Sequence, residues 1–422
     1  MLPSTLTSFL VPLLELWAHK PSASTSQPQR TPLNFELRHL YAVNSDAHVA
    51  FSDISRSQLA GLTSNEDTTP YTISRTAPLT TYKPSSFDAF INARRSSWNP
   101  SLQSAALNWD EDIVIGPDVE SRETLLLLAK MTNNAYLTPG EEGWYDLGDK
   151  WPVSYPFGWQ PPYADGFRGH VFATPDNSTV VVSIKGTSAG LWGSSPTAKK
   201  DKLNDNLLFS CCCARVGWTW TTVCDCYRGS YKCDQECLEE ALMDESLFYP
   251  IGTNLYNNLT YIYPDANIWV IGHSLGGALA SLIGVTFGAP AVTFESPGEK
   301  MAGMRLHLPS PPSLQHVTHV FHTADPIAMG ACNGILSSCS LGGYAMESRC
   351  HMGKTIVYDT VSNLSWPVAI RTHGIVTVIE EVLGVPWLPS VDVGREVPEA
   401  VPQDDCVECY SWEFGSFPAK KK

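Results

Sequence analysis

Asn267-Ile268-Trp269-Val270-Ile271-Gly272-His273-Ser274-Leu275-Gly276 runs from an apolar stretch into a small-residue run, Gly277 to Gly284. The first five residues read as a buried strand and the later run as a helix, joined by a sharp turn at Ser274. A serine raised on such a turn needs glycine two positions to either side, because a side chain there would strike neighbouring backbone. The helix that follows points its first amide, from Leu275, at the place where an oxyanion forms during acyl transfer. The stretch therefore reads as a nucleophile elbow, against the plainer alternative of a structural Gly/Ser turn.

A serine hydroxyl is a weak nucleophile, so the chain must also supply a histidine base and a carboxylate to orient it. In α/β-hydrolases these follow in the order Ser, Asp/Glu, His. The β-branched run Val317-Thr318-His319-Val320-Phe321-His322 reads as a buried strand that ends in Thr323-Ala324-Asp325-Pro326. A carboxylate at a strand's carboxyl end, on a loop stopped by proline, lies on the face where such sheets carry their sites. Asp325 is the expected acid. Its rivals are Glu295, which falls one strand too early, and Asp359, which leaves a single histidine after it. Beyond Asp325 the chain has only His351 and His373. His373, at a loop-to-helix junction before the amphipathic run Ile375 to Leu383, is the expected base. His351 follows Cys350 and is expected in a disulfide-tied loop.

Gly169-His170-Val171-Phe172-Ala173 and Thr179-Val180-Val181-Val182-Ser183-Ile184 flank Pro175-Asp176-Asn177, a hairpin by its alternation and turn residues. Its second strand runs into Lys185-Gly186-Thr187-Ser188. The amide and hydroxyl of Thr187 are the expected partners of the Leu275 amide in an oxyanion hole, which usually takes its second half from a loop after an earlier strand.

Taken together, several segments resemble the fungal autophagy-related vacuolar lipases, a branch of the class 3 (fungal) lipases. They are Lys185-Gly186-Thr187-Ser188, the run from Asn204 to Val216 with its three consecutive cysteines, Thr221-Thr222-Val223-Cys224-Asp225-Cys226, the elbow with Ala278-Leu279-Ala280-Ser281-Leu282, Phe294-Glu295-Ser296-Pro297-Gly298-Glu299, and Ala324-Asp325-Pro326. The resemblance spans residues 105–412, and the cysteine-rich insertion is far more specific than the elbow. It implies an α/β-hydrolase fold of the class 3 lipase type and a Ser274/Asp325/His373 triad, with His351 outside it. It also implies a lumenal enzyme that cuts phospholipids and glycerides in the membranes of autophagic and multivesicular bodies, reached through the endosome and vacuole. No cofactor or metal is expected. The alternative from another class is a catalytically silent, disulfide-rich lumenal module that binds membranes or a partner.

The expected organisation is a signal-anchor or signal peptide over residues 1–20, a lumenal stem over 21–104, a catalytic domain over 105–384 and a tail over 385–422. The apolar stretch Leu6 to Trp17 is short and interrupted by Pro12 and Glu15. A robust span needs about 20 apolar residues, so a single-pass type II anchor rests on the resemblance alone. Glu120 to Lys130, acidic early and basic late, reads as the helix that opens the catalytic domain.

A formal net charge of −15 argues against nucleic acid as a partner, since such binding needs a positive footprint. It does not argue against lipid. Twelve cysteines and sequons at Asn177, Asn258 and Asn363 agree on an oxidising, secretory compartment. Disulfides are the simpler use of the cysteines, and a zinc site from Cys224, Cys226, Cys233 and Cys237 is the sharper alternative. Leu191 and Trp192, set between glycines, suggest a lid or an ordinary surface loop.

Overall fold

The computed structural model describes residues 32–54, 71–98, 107–139, 141–145, 165–188, 197–244 and 247–417. The expected N-terminal anchor and the Leu191/Trp192 loop lie outside these residues. Among the described residues, no helix is long and apolar enough to cross a membrane.

The centre is a mixed ten-stranded sheet. Its main strands are β1 (Leu33–Val43), β2 (Val49–Asp53), β3 (Arg168–Ala173), β4 (Thr179–Ile184), β5 (Asn267–His273), β6 (Ala291–Phe294), β7 (Val317–His322), β8 (Lys354–Tyr358) and β9 (Val401–Pro402). They lie in the order β9-β8-β7-β6-β5-β4-β3-β1-β2, with Tyr71–Ile73 paired to β1. Strands β4 through β8 are mutually parallel, while β1, β2, β3 and β9 pair antiparallel.

Alternation along the strands divides the apolar residues between two cores. Ile268 and Val270 of β5, with Val180 and Val182 of β4, face α2 (Ala198–Phe209), α3 (Phe248–Ile262) and α4 (Leu275–Phe287). Trp269, Ile271 and Val181 face the opposite way, onto Leu125 and Leu128 of α1 (Arg122–Asn134) and onto Val378 and Val382. Helices on both faces of a largely parallel sheet make this an α/β-hydrolase arrangement. Helix α1 starts two residues after the expected Glu120 and runs past Lys130 to Asn134, with the Ser121 hydroxyl accepting from the Thr124 amide.

Two peripheral segments are more integral than their composition suggests. Strand β1 falls in the expected stem, yet it pairs with β3 and buries Phe35, Leu37, Tyr41 and Val43. The tail supplies β9 and the short strand Glu413–Gly415, which pairs with Lys232–Asp234 in the insertion.

All twelve cysteines are in disulfides: Cys211–Cys409, Cys212–Cys233, Cys213–Cys224, Cys226–Cys237, Cys332–Cys339 and Cys350–Cys406. Each cysteine of the alternative zinc set is thus oxidised, and a disulfide sulfur is not the thiolate that zinc requires. Helix α5 (Lys300–Arg305) clamps the insertion as well. The buried Arg305 guanidinium donates to the Ser210 carbonyl at 2.8 Å and to the Cys211 carbonyl at 2.6 Å.

Candidate active site

Strand β5 stops at His273 and α4 starts at Leu275, leaving Ser274 alone in the turn at φ +56°, ψ −131°. Its amide donates to the Phe294 carbonyl at 3.0 Å, and its carbonyl accepts from the Gly277 amide at 2.9 Å. A β-carbon at Gly272 would sit on the Gly276 carbonyl and 2.7 Å from the Gly277 nitrogen. One at Gly276 would collide with the backbone of Ile184 and Lys185. Both glycines are therefore required by the close approach of β5, α4 and the end of β4.

Asp325 follows β7 and is fully buried. One carboxylate oxygen, Oδ1, accepts from the Ile327 amide at 2.8 Å. The other, Oδ2, lies 2.7 Å from His373 Nδ1, and His373 Nε2 lies 2.9 Å from Ser274 Oγ. Burial alone would raise the Asp325 pKa, but the charge and hydrogen bond of His373 outweigh it and hold the group below the usual carboxylate range.

Two buried histidines that sequence reasoning missed fix the turn Ile370–His373. His273 Nε2 donates to the His373 carbonyl at 2.8 Å, and its Nδ1 accepts from the Tyr136 hydroxyl at 2.7 Å. His322 Nε2 donates to the Thr372 carbonyl at 3.0 Å. Burial, with the nearby His373, drops the His273 pKa to about 3, so this ring is a neutral strut. Both histidines end strands, and only the folded sheet brings strands β5 and β7 under one loop.

Thr187 lies just beyond β4. Its hydroxyl donates to Asp205 Oδ2 at 2.6 Å, so that proton is directed at Asp205 and not at the expected oxyanion site. Burial, reinforced by the charge of Asp201, pushes the Asp205 pKa up to about 7 against the pull of Thr187, His373 and Lys185. Next to it Lys185 Nζ pairs with Asp201 Oδ2 at 3.1 Å, and Asp201 also accepts from the Ser188 amide at 2.9 Å. This buried polar floor under Gly186 and Thr187 had no motif to announce it.

The remaining candidates lie as follows. Asp359 is a cap, accepting from the Ser362 amide at 3.1 Å and from Thr323. His351 sits beside the Cys350–Cys406 bridge and donates from Nε2 to the Ser296 carbonyl at 2.9 Å, away from Ser274. Glu295 ends buried next to Asp325. Asn177, Asn258 and Asn363 are all exposed. Glu299, His319 and His351 form a buried cluster of metal-ligand type. Hydrogen bonds engage most of it: His319 Nδ1 meets the Thr293 hydroxyl at 2.8 Å, Glu299 accepts from Ser281 at 2.7 Å, and His351 is engaged through both ring nitrogens, while His319 Nε2 stands 3.2 Å from Glu299 Oε1 and Glu299 Oε2 has no partner among the described residues.

The family model for Lipase (class 3) matches residues 219–289, which include the elbow. A Cryptococcus neoformans var. neoformans serotype D protein named "Putative lipase ATG15" is 51% identical over 381 residues, covering 76% of this chain and 73% of its own. A protein of the same name from Mycosarcoma maydis is 50% identical over 314 residues, covering 72% of this chain and 60% of its own. Among solved structures, Lip2 lipase from Yarrowia lipolytica is 18% identical and matches 57% of this chain and 80% of its own, with a TM-score of 0.30. A likeness that slight carries no argument, and the fold assignment stands on strand order and the elbow.

Proposed function

The chain belongs to the ATG15 family of class 3 lipases, and from that premise we propose how it acts: as a serine esterase that cleaves acyl esters of membrane phospholipids and glycerides through a covalent acyl-enzyme. The carrying observation is the continuous relay from Asp325 through His373 to Ser274 Oγ, at 2.7 and 2.9 Å. In the first half-reaction His373 Nε2 takes the Ser274 proton while Oγ attacks the ester carbonyl. Asp325 keeps Nδ1 protonated and stabilises the imidazolium. The tetrahedral oxyanion rests on the Leu275 amide, at the start of α4, and on Thr187. His373 then returns the proton to the departing alcohol, and a water activated by the same histidine releases the fatty acid.

Thr187 serves best when Asp205 is protonated. Below about pH 7 the Asp205 carboxyl carries its own proton, so Thr187 can accept from it and give its hydroxyl proton to the oxyanion. That suits an enzyme of an acidic lumen, and the six disulfides support a secretory or lumenal site for the catalytic part. The vacuolar and autophagic setting and the membrane substrate rest on the family resemblance. The sheet itself extends upstream of residue 105, since β1 pairs with β3 and β2 with β1, which supports a catalytic unit that starts earlier.

The test is labelling with a fluorophosphonate, together with hydrolysis of phosphatidylcholine vesicles and of triglyceride emulsions at pH 5 and pH 7. Wild type is expected to label on Ser274 and to release fatty acid, and Ser274→Ala to do neither. Absence of label on a folded wild-type protein would refute the serine mechanism and favour the silent membrane-binding module. Hydrolysis of emulsions but not of vesicles would refute the phospholipid substrate alone.

A further inference from the structure

Glu295 ends β6 at φ +44°, a left-handed conformation that glycine adopts freely and glutamate does not. Its side chain is 1% exposed and lies within hydrogen-bonding reach of the Asp325 carboxyl. The surroundings offer little to a second negative charge. The His322 amide makes a long contact of 3.4 Å with Oε2, and among the described residues Oε1 has no donor. His322 Nε2 stands 3.8 Å from Oε1, but its proton goes to the Thr372 carbonyl.

Two buried carboxyls in contact cannot both ionise, so one of the pair holds a proton. Asp325 is the ionised member, because His373 Nδ1–H and the Ile327 amide both require an acceptor from it. We propose that Glu295 is a positioning residue: a neutral carboxylic acid whose O–H donates to Asp325, locking that carboxylate's rotamer and drawing off part of its charge. Burial and the charge of Asp325 both push the Glu295 pKa well above the carboxylate range, in agreement.

Three other titratable groups face the pair. Burial lowers the pKa of His322, burial with the nearby His373 lowers that of His273 to about 3, and His373 is the base itself. With no other cation acting on the pair among the described residues, the proton on Glu295 sets how strongly Asp325 attracts a proton onto His373. A less basic Asp325 holds the imidazolium less tightly, and losing the Glu295 donor strengthens that attraction. The strained backbone at residue 295 is then the cost of carrying a proton donor where glycine would fit best.

This inference rests on the Ser274/His373/Asp325 mechanism, and the experiment separates the two. Ser274→Ala, Glu295→Gln and Glu295→Gly would be compared on a soluble p-nitrophenyl ester from pH 4 to pH 9, with fluorophosphonate labelling. Glu295→Gln keeps an N–H donor and is expected to stay within about threefold of wild-type kcat, with the same acid limb. Glu295→Gly suits the backbone and removes the donor. It is expected to lose about tenfold in kcat at constant KM, with the acid limb of kcat/KM moved up by about half a unit. A wild-type profile in Glu295→Gly, or equal losses in both Glu295 variants, would overturn the proposal. Activity in Ser274→Ala would instead overturn the mechanism beneath it. Infrared spectroscopy at pH 8, where Asp205 has ionised, reads the proton directly and does not depend on Glu295→Gly folding. Wild type should show a neutral carboxylic-acid C=O stretch that Glu295→Gln lacks, and absence of that band in wild type refutes the proposal.

Discussion

Replacing Asp205 by asparagine should make the protein more stable at pH 8 and leave it unchanged at pH 4. Asp205 is 2% exposed and its pKa rises from 3.8 to about 7, chiefly because burial disfavours the charged form. A raised folded-state pKa contributes stability that is complete below the unfolded value and is lost as pH climbs to the folded value. For Asp205 that window runs from about pH 4 to about pH 7. The shift of about three units at 1.36 kcal/mol each corresponds to about 4 kcal/mol, an order-of-magnitude figure. The attractions of Lys185 and His373 and the Thr187 hydrogen bond are already inside that net shift. Asparagine never ionises, so Asp205→Asn escapes the loss while keeping a carbonyl for Thr187. Thermal unfolding at matched scan rates is the assay. At ~2 °C per kcal/mol, Tm of the variant should exceed wild type by on the order of 8 °C at pH 8, and match it at pH 4. A variant melting below wild type at pH 8 would show that the ionised carboxylate is stabilising, and would refute the reasoning.

Two further outcomes follow from backbone contacts and cross-links. Gly272→Ala should cost about 3 kcal/mol or more and abolish fluorophosphonate labelling, since its β-carbon meets the backbone of Gly276 and Gly277, which cannot yield; a labelled, stable variant would contradict that geometry. Removing Cys211–Cys409 with serines, a bridge spanning 198 residues, should cost about 5 kcal/mol on chain entropy, against about 2.4 kcal/mol for the seven-residue Cys332–Cys339 loop; equal shifts in urea midpoint would rule out the entropic account.

The parts of the fold legible in the sequence were those that signal locally. The Val317–His322 strand, the hairpin around Asp176 and the elbow each carry their own period and turn residues, so β3, β4, β5 and β7 lie where expected. Strand β1 did not read this way. Its alternation is embedded in a Ser/Thr/Pro-rich stretch, and its partner β3 lies more than 120 residues further on. The site divides similarly. Ser274, Asp325 and His373 stand out by order and position, and the fold brings them within hydrogen-bonding distance. The engagement of Thr187 by Asp205 was not legible, because it depends on how α2 seats against the end of β4. In the sequence Glu295 reads only as a rival acid. Its contact with Asp325 arises because β6 and β7 are adjacent and end at the same level, which no local pattern records.

The bridge between Cys211 and Cys409 also changes what a proteolytic cut can do. A scission anywhere between Cys237 and Asp325 yields an N-terminal piece that holds Ser274 or stops short of it, and a C-terminal piece that holds Asp325 and His373. The pieces cannot part, because Cys211 on one remains joined to Cys409 on the other. A nicked molecule stays a single covalent object. It would separate into fragments on a gel only after reduction.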